Sequence, residues 1–303
     1  VSILSGIIPV APTVFTEDEE LDLAGQRRVV DYLVDGKSDA VCILANYSEQ
    51  FSLTDDERER VLTATLEHAA GRLPVCVTTS HFSARIAAQR SRQAQERGAA
   101  MVMLMPPFFG ATMKVDDEGV VEYFKRVANG LEIDIMVQDA PMSPTTLSVS
   151  LLARLAREVP QIRYAKVEMP QTADKLRKLV AAAGDDLPGV FDGEEAITLI
   201  PDLDAGARGT MSSCMVPDQL GQIVRDFHAG NRDRAVAQWE DLLPFIHYEN
   251  RQVGLRAAKI LMKEGGIIDS DRTRAPLAEL DPETRSQLIA MARRKDPLVL
   301  RWA

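Results

Sequence analysis

The chain has 303 residues, 46% of them hydrophobic and 26% charged, with a formal charge of −10. The composition is that of an ordinary folded globular protein, and the length allows one large domain or two. The negative charge argues against a broad basic surface for nucleic acid or an anionic membrane, so neither is expected as a partner.

In chain order, short apolar runs alternate with longer amphipathic ones. The opening VSILSGIIPVAP has no basic segment ahead of its apolar stretch, so no signal peptide is expected and the cytoplasm is the expected compartment. Apolar runs begin near Gly6, Asp39, Pro74, Ala99, Ile133, Ile162, Gly189 and Arg208. Most are rich in Val, Ile and Met without polar alternation, the pattern of parallel strands covered on both faces. The run from Ala99 is broken by Pro106-Pro107, short of the ~20 residues a membrane-spanning helix needs.

Between these runs lie helix signals. Thr54-Asp-Asp-Glu57 predicts a capping box, the Thr hydroxyl taking a backbone N–H and the Glu reaching back. Asp116 predicts a helix start before 118–127, and Leu176, Leu179 and Val180 mark one face of a helix over 173–183. Gly98 and Gly130 fit helix stops. Strand starts fall about 18 to 35 residues apart, near the ~30 of a βαβ unit. Eight such units predict an α/β fold, a (β/α)8 TIM barrel over 1–230. Helical patterns at 218–228, 232–247, 251–263 and 282–294 supply its last helix and a C-terminal helical extension over 231–303. No linker separates the two, so one structural unit is expected. Cys42, Cys76 and Cys214 are odd in number and share no C-x-x-C spacing, which suggests neither disulfides nor a metal site.

In a (β/α)8 barrel, chemistry sits at the C-terminal ends of the strands. Those ends carry Asn46, Tyr47 and Ser48 after strand two, Ser80 and His81 after strand three, Gln138 and Asp139 on strand five, and Lys166 and Glu168 on strand six. Strand seven ends in Gly193, Glu194 and Glu195, and strand eight in Ser212. Lys166 is the only lysine among them. An inward lysine loses hydration, which lowers its pKa from ~10.4 and lets the neutral amine attack a ketone. An ion pair with Glu168 or Glu195 is the competing reading. His81, with an ordinary pKa of ~6.5, is open to an acid–base role or to that of a satisfied loop histidine.

The order of these segments resembles the dihydrodipicolinate synthase and N-acetylneuraminate lyase superfamily from Gly6 to at least Leu261. Gly6-Ile-Ile-Pro9 with Thr13 is similar to that family's first strand. Ala45-Asn-Tyr-Ser-Glu49 stands where relatives have Gly-Thr-Thr-Gly-Glu, and Gln138-Asp-Ala-Pro141 where they have Tyr-Asn-x-Pro. Ala165-Lys-Val-Glu168 matches the Schiff-base lysine segment. Gly193-Glu-Glu-Ala196 and Gly206-Ala-Arg-Gly209 with Ser212 follow in order. Gln138 replaces the proton-carrying tyrosine, and Phe108-Phe109 replaces a tyrosine pair that often follows strand four. Gln138, Asp139, Glu249-Asn-Arg-Gln252 and the terminal Arg301-Trp302 resemble one branch of the superfamily, which dehydrates a 2-keto-3-deoxy pentonate.

That resemblance implies a hydro-lyase acting on a small 2-oxo sugar acid, with Lys166 as the Schiff-base residue and no metal or organic cofactor. It implies that Asn46, Tyr47 and Ser48 hold the carboxylate. It gives Gln138 and His81 a part in catalysis and puts Ser80, Asp139, Gly193, Glu195 and Ser212 in contact with substrate. Asp139 has a second reading, as a turn acceptor before Pro141. A homotetramer is the implied assembly. Three alternatives stay open: an aldolase or dehydratase for another 2-keto-3-deoxy sugar acid, a dihydrodipicolinate synthase-like enzyme acting on pyruvate, and a sugar-acid sensor on a catalytically silent barrel.

Overall fold

The computed structural model describes residues 3–108 and 115–303; Phe109 lies outside them. Eight strands form one parallel sheet: β1 (Gly6–Ile7), β2 (Val41–Ile43), β3 (Val75–Thr78), β4 (Met101–Leu104), β5 (Asp134–Asp139), β6 (Ile162–Val167), β7 (Gly189–Asp192) and β8 (Gly209–Thr210). Their hydrogen-bonded order is β1-β8-β7-β6-β5-β4-β3-β2, the order of a (β/α)8 barrel. Helices α1 (Leu23–Asp35), α2 (Asp55–Ala69), α3 (Ala84–Glu96), α4 (Asp117–Ala128), α5 (Val149–Glu158), α6 (Thr172–Ala183), α7 (Leu199–Asp204) and α8 (Pro217–His228) follow the strands in turn. Helices α9 (Arg232–Tyr248), α10 (Arg256–Glu264) and α11 (Pro282–Lys295) form the extension. No helix of the described residues is long and apolar enough to cross a membrane.

The chain groups into two compact units. The first holds residues 1–5, 75–194 and 198–211, and so β3 to β8. Its strands are buried along most of their length, which explains runs such as Met101-Val-Met-Leu104 without polar alternation. Register aligns Gln138 of β5 with Lys166 of β6, and Lys166 with Phe191 of β7. The side chains of α6 differ from expectation at one position. Leu176 and Leu179 are buried, but Val180 is 38% exposed, lying over Gly206, whose φ is +103°.

The second unit holds 6–74, 195–197 and 212–303. Here β1 runs on to Val10, which bridges in parallel to Cys42 on one side and to Ser213 on the other. The capping box forms as expected: Thr54 Oγ1 accepts from Glu57 N–H, and a Glu57 carboxylate oxygen accepts from Thr54 N–H. The helix expected over 251–263 begins only at Arg256. Ahead of it Glu249–Val253 makes a π-turn, with Gly254 N–H donating to the Glu249 carbonyl at 2.7 Å. Gly254 ends that turn at φ +66°, a conformation that glycine adopts without steric cost. The three cysteines are buried and free.

Candidate active site

In the first unit, Lys166 is 4% exposed and its Nζ lies 2.8 Å from Glu168 Oε1. Residues two apart on a strand point to one face, so β6 itself brings the pair together. The same oxygen accepts from Gln138 Nε2 at 2.7 Å. Gln138 Oε1 is buried and has no hydrogen-bond partner among the described residues. A buried amide oxygen without a donor costs free energy, about 1–3 kcal/mol, which a substrate hydroxyl or a water would recover. Gly193 packs flat against this cluster. A Cβ there would stand 2.5 Å from Glu168 Cγ, 2.8 Å from Lys166 Cγ and 3.0 Å from Lys166 Cε, so only glycine fits.

The neighbouring carboxylate is differently engaged. Asp139 accepts from Lys175 Nζ of α6 at 2.5 Å, and the same amine donates to the Leu147 carbonyl at 2.6 Å. Burial raises the Asp139 pKa, and the Lys175 contact opposes that rise. Ser80 Oγ accepts from Met105 N–H at 3.0 Å, and Arg90 donates to the Ser80 carbonyl. His81 Nδ1 accepts from Ser83 N–H at 2.9 Å, which leaves the neutral ring's proton on Nε2. Tyr123 holds the His81 carbonyl at 2.9 Å, and Phe82 and Phe108 meet edge to face beside the ring. Asp192 closes the end of β7, accepting from Glu194 N–H at 2.9 Å and Thr210 Oγ1 at 2.6 Å.

In the second unit, Asn46–Ser48 makes a 3₁₀ turn, followed by Glu49 at φ +57°. Ser48 Oγ donates to the Ala11 carbonyl at 2.6 Å, and Thr13 Oγ1 donates to the Ser48 carbonyl at 2.6 Å. The Ser48 proton is thus already committed within the turn. Glu49 ties this turn to the C-terminal extension. Its Oε1 accepts from Lys259 Nζ at 2.5 Å and its Oε2 from Arg274 N–H at 2.9 Å. Lys259 is fully buried and also donates to the Arg272 carbonyl at 2.8 Å. Lys259 and Arg274 each lie 4.4 Å from the centre of the Phe15 ring, a favourable place for a cation. Arg274 grips both oxygens of Glu57 as well, and that contact holds the Glu57 carboxyl down to about 2.

Glu195 is in the same unit, at φ +56°, and its Oε2 accepts from Ser213 N–H at 2.6 Å. Ser212 Oγ donates to the Ser213 carbonyl at 3.3 Å, and its own carbonyl accepts from Val10 N–H. Sequence reasoning weighed Glu168 as an ion-pair partner for Lys166 and missed Lys175 and Lys259. The signal for Lys259 was a cation amid Ala257-Ala258 and Ile260-Leu-Met262, all of them buried.

The chain is 53% identical over 298 residues to the L-2-keto-3-deoxyarabonate dehydratase of Azospirillum brasilense, covering 98% of this chain and 96% of that one. It is 29% identical over 278 residues to the 4-hydroxy-tetrahydrodipicolinate synthase of Thermomicrobium roseum, covering 90% and 88%. Among solved structures, a putative dihydrodipicolinate synthetase from Pseudomonas aeruginosa superposes with a TM-score of 0.90 at 25% identity, covering 99% and 100% of the two chains. The model of the dihydrodipicolinate synthetase family matches residues 3–295, and the chain belongs to that family.

Proposed function

We propose that this chain is a Schiff-base dehydratase that converts L-2-keto-3-deoxyarabonate to 2-oxoglutarate semialdehyde. The observation that carries the reading is the single carboxylate oxygen, Glu168 Oε1, shared by Lys166 and Gln138. The 53% identity to a dehydratase supports the choice of substrate. Lys166 condenses with the C2 ketone and water leaves. The iminium then draws electrons from C3, so the electron sink needs no metal or organic cofactor. Glu168 stands beside Nζ and is the group suited to take the C3 proton. The resulting enamine expels the C4 hydroxyl as water once an acid protonates it. Loss of a C5 proton gives an enol that becomes the terminal aldehyde, and hydrolysis frees Lys166.

Gln138 bears on which bond breaks. Cleavage of C3–C4 needs a base on the C4 hydroxyl, and an amide cannot relay that proton. Its open Oε1 is suited to hold a hydroxyl or a water by accepting from it. Positioned proton transfers are each worth ~10²–10⁴ in rate, enough to decide between water loss and cleavage.

The remaining roles follow the resemblance. The Asn46-Tyr47-Ser48 turn takes the carboxylate, through its backbone more than through the committed Ser48 hydroxyl. Ser80 and the Nε2–H of His81 serve distal hydroxyls, as do Gly193, Glu195 and Ser212. Asp139 serves the fold: Lys175 already occupies it. A cytoplasmic homotetramer is the assembly this reading carries, and light scattering on the purified protein checks the subunit number.

Borohydride reduction with pyruvate, followed by peptide mass spectrometry, tests the covalent step. The reading requires a reduced adduct on the peptide carrying Lys166 and none in Lys166→Ala. An adduct on any other residue, or no adduct at all, overturns it.

A further inference from the structure

Lys175 is a cation near the N-terminus of α6, the end of a helix where positive charge is disfavoured. What it holds explains its place. Its Nζ donates to Asp139 Oδ2 at 2.5 Å and to the Leu147 carbonyl at 2.6 Å. Asp139 is the last residue of β5, and Leu147 stands just before α5 begins at Val149. One amine therefore clasps both ends of the loop between that strand and its helix. Thr145 Oγ1 of the same loop donates to the Pro107 carbonyl at 2.7 Å, which ties the loop to the segment after β4. Both charges are largely out of water: the Lys175 and Asp139 side chains are 16% and 3% exposed. Asp139 also meets β6 directly, since its carbonyl accepts from Glu168 N–H at 3.0 Å. Gln138, one residue earlier, points to the opposite face of β5 and reaches the Glu168 carboxylate. Burial pushes the Asp139 carboxyl up, as the Glu168 charge does, and Lys175 opposes them.

We propose that Lys175 is a positioning residue for the chemical step: by balancing the buried Asp139 carboxylate and closing the loop behind it, it keeps Gln138 and Glu168 in place against Lys166. All of these residues belong to the first unit. The inference rests on the reading above that Lys166 forms the Schiff base and Glu168 takes the C3 proton. Without Lys175, a second carboxylate stands unbalanced beside Glu168. Removing one partner of a buried pair leaves an uncompensated charge, whereas removing both charges does not. A strut that only stabilises the fold would affect the melting temperature and spare the rate per folded molecule.

The test follows the exchange of pyruvate methyl protons with heavy water by NMR, using the full-length protein. Each exchange needs the Schiff base on Lys166, transfer of a C3 proton to Glu168 and return of a deuteron from that carboxyl to C3, but no dehydration. In Lys175→Met the maximal exchange rate is expected to fall ~10-fold, the lower end of what a charged hydrogen bond is worth, while the half-saturating pyruvate concentration stays within about twofold. The double variant Lys175→Met/Asp139→Asn buries no unbalanced charge and is expected to regain most of the rate. Should Lys175→Met not fold, Lys175→Gln carries the same expectation and the same rescue by Asp139→Asn. A wild-type rate per folded molecule in the single variant overturns the proposal, as does a double variant no faster than the single one. If the wild type exchanges protons but forms no semialdehyde from L-2-keto-3-deoxyarabonate, the dehydratase reading fails, while the variants still decide the role of Lys175. No exchange in the wild type overturns both.

Discussion

Lys166 Nζ lies 2.8 Å from Glu168 Oε1, which makes the nucleophile and a base one hydrogen-bonded pair. A lysine must lose a proton before it attacks a carbonyl carbon. Transfer to Glu168 produces a neutral amine and a neutral acid without changing the charge of the pair. The same carboxyl is then on hand for the C3 proton. Glu168→Gln keeps the shape of the side chain and removes the base. Its kcat for water loss is expected to fall ~10²–10⁴-fold, the usual worth of a positioned proton transfer. Pyruvate trapping on Lys166 is expected to persist, more slowly, and comparing the two rates checks the assignment.

Gly193 presses on the same pair. Gly193→Ala would set a methyl 2.5 Å from Glu168 Cγ and 2.8 Å from Lys166 Cγ. Overpacking of this kind costs roughly 1–3 kcal/mol. Because the atoms displaced belong to the reacting groups, trapping and turnover are both expected to drop further than the melting temperature suggests. Activity per folded molecule, measured beside a thermal melt, checks this.

Glu49 and Lys259 form a fully buried ion pair at 2.5 Å. Removing one partner of such a pair leaves an uncompensated charge and costs about 3–5 kcal/mol. Lys259→Met and Glu49→Gln are each expected to be strongly destabilised, and the double variant less so than their sum. Denaturant melts of the four proteins close the cycle, and strict additivity would contradict the pairing.

Stability is expected to fall toward both ends of the pH range. Burial, reinforced by the neighbouring Asp192 charge, pushes the Asp202 carboxyl up to about 8, and burial pushes Glu249 up to about 7. Acids with raised pKa values contribute stability below their unfolded values and lose it as pH rises through the folded ones. The loss should therefore develop between about pH 4 and 8, through both groups up to about pH 7 and through Asp202 alone above it. Glu57 has the opposite sign: Arg274 holds it down to about 2, so its contribution disappears as pH drops from about 4.5 toward 2. Melting curves across pH for wild type, Glu249→Gln and Asp202→Asn check the alkaline side, each variant flattening its own part of the slope.

Much of this was legible in the sequence. Eight apolar runs mapped onto eight strands because parallel strands bury both faces, and Lys166 stood out as a charge inside one of them. Thr54 and Asp116 marked helix starts because a side-chain cap depends on local spacing alone. Distant pairings were not legible. Lys259 meets Glu49 across 210 residues of sequence, and nothing local to either names the other. The π-turn was missed for a different reason: the apolar period of 251–263 looks helical, while Gly254 shifts the true start to Arg256. Nor was it legible that the Ser48 hydroxyl donates to the Ala11 carbonyl, a partner that only folding supplies.

The central claim is that a Schiff base on Lys166 leads to loss of water. Incubation with L-2-keto-3-deoxyarabonate and separation of the products tests it most directly. The account predicts 2-oxoglutarate semialdehyde as the product and its disappearance in Lys166→Ala. Pyruvate as the main product, or semialdehyde formed undiminished by Lys166→Ala, would contradict it.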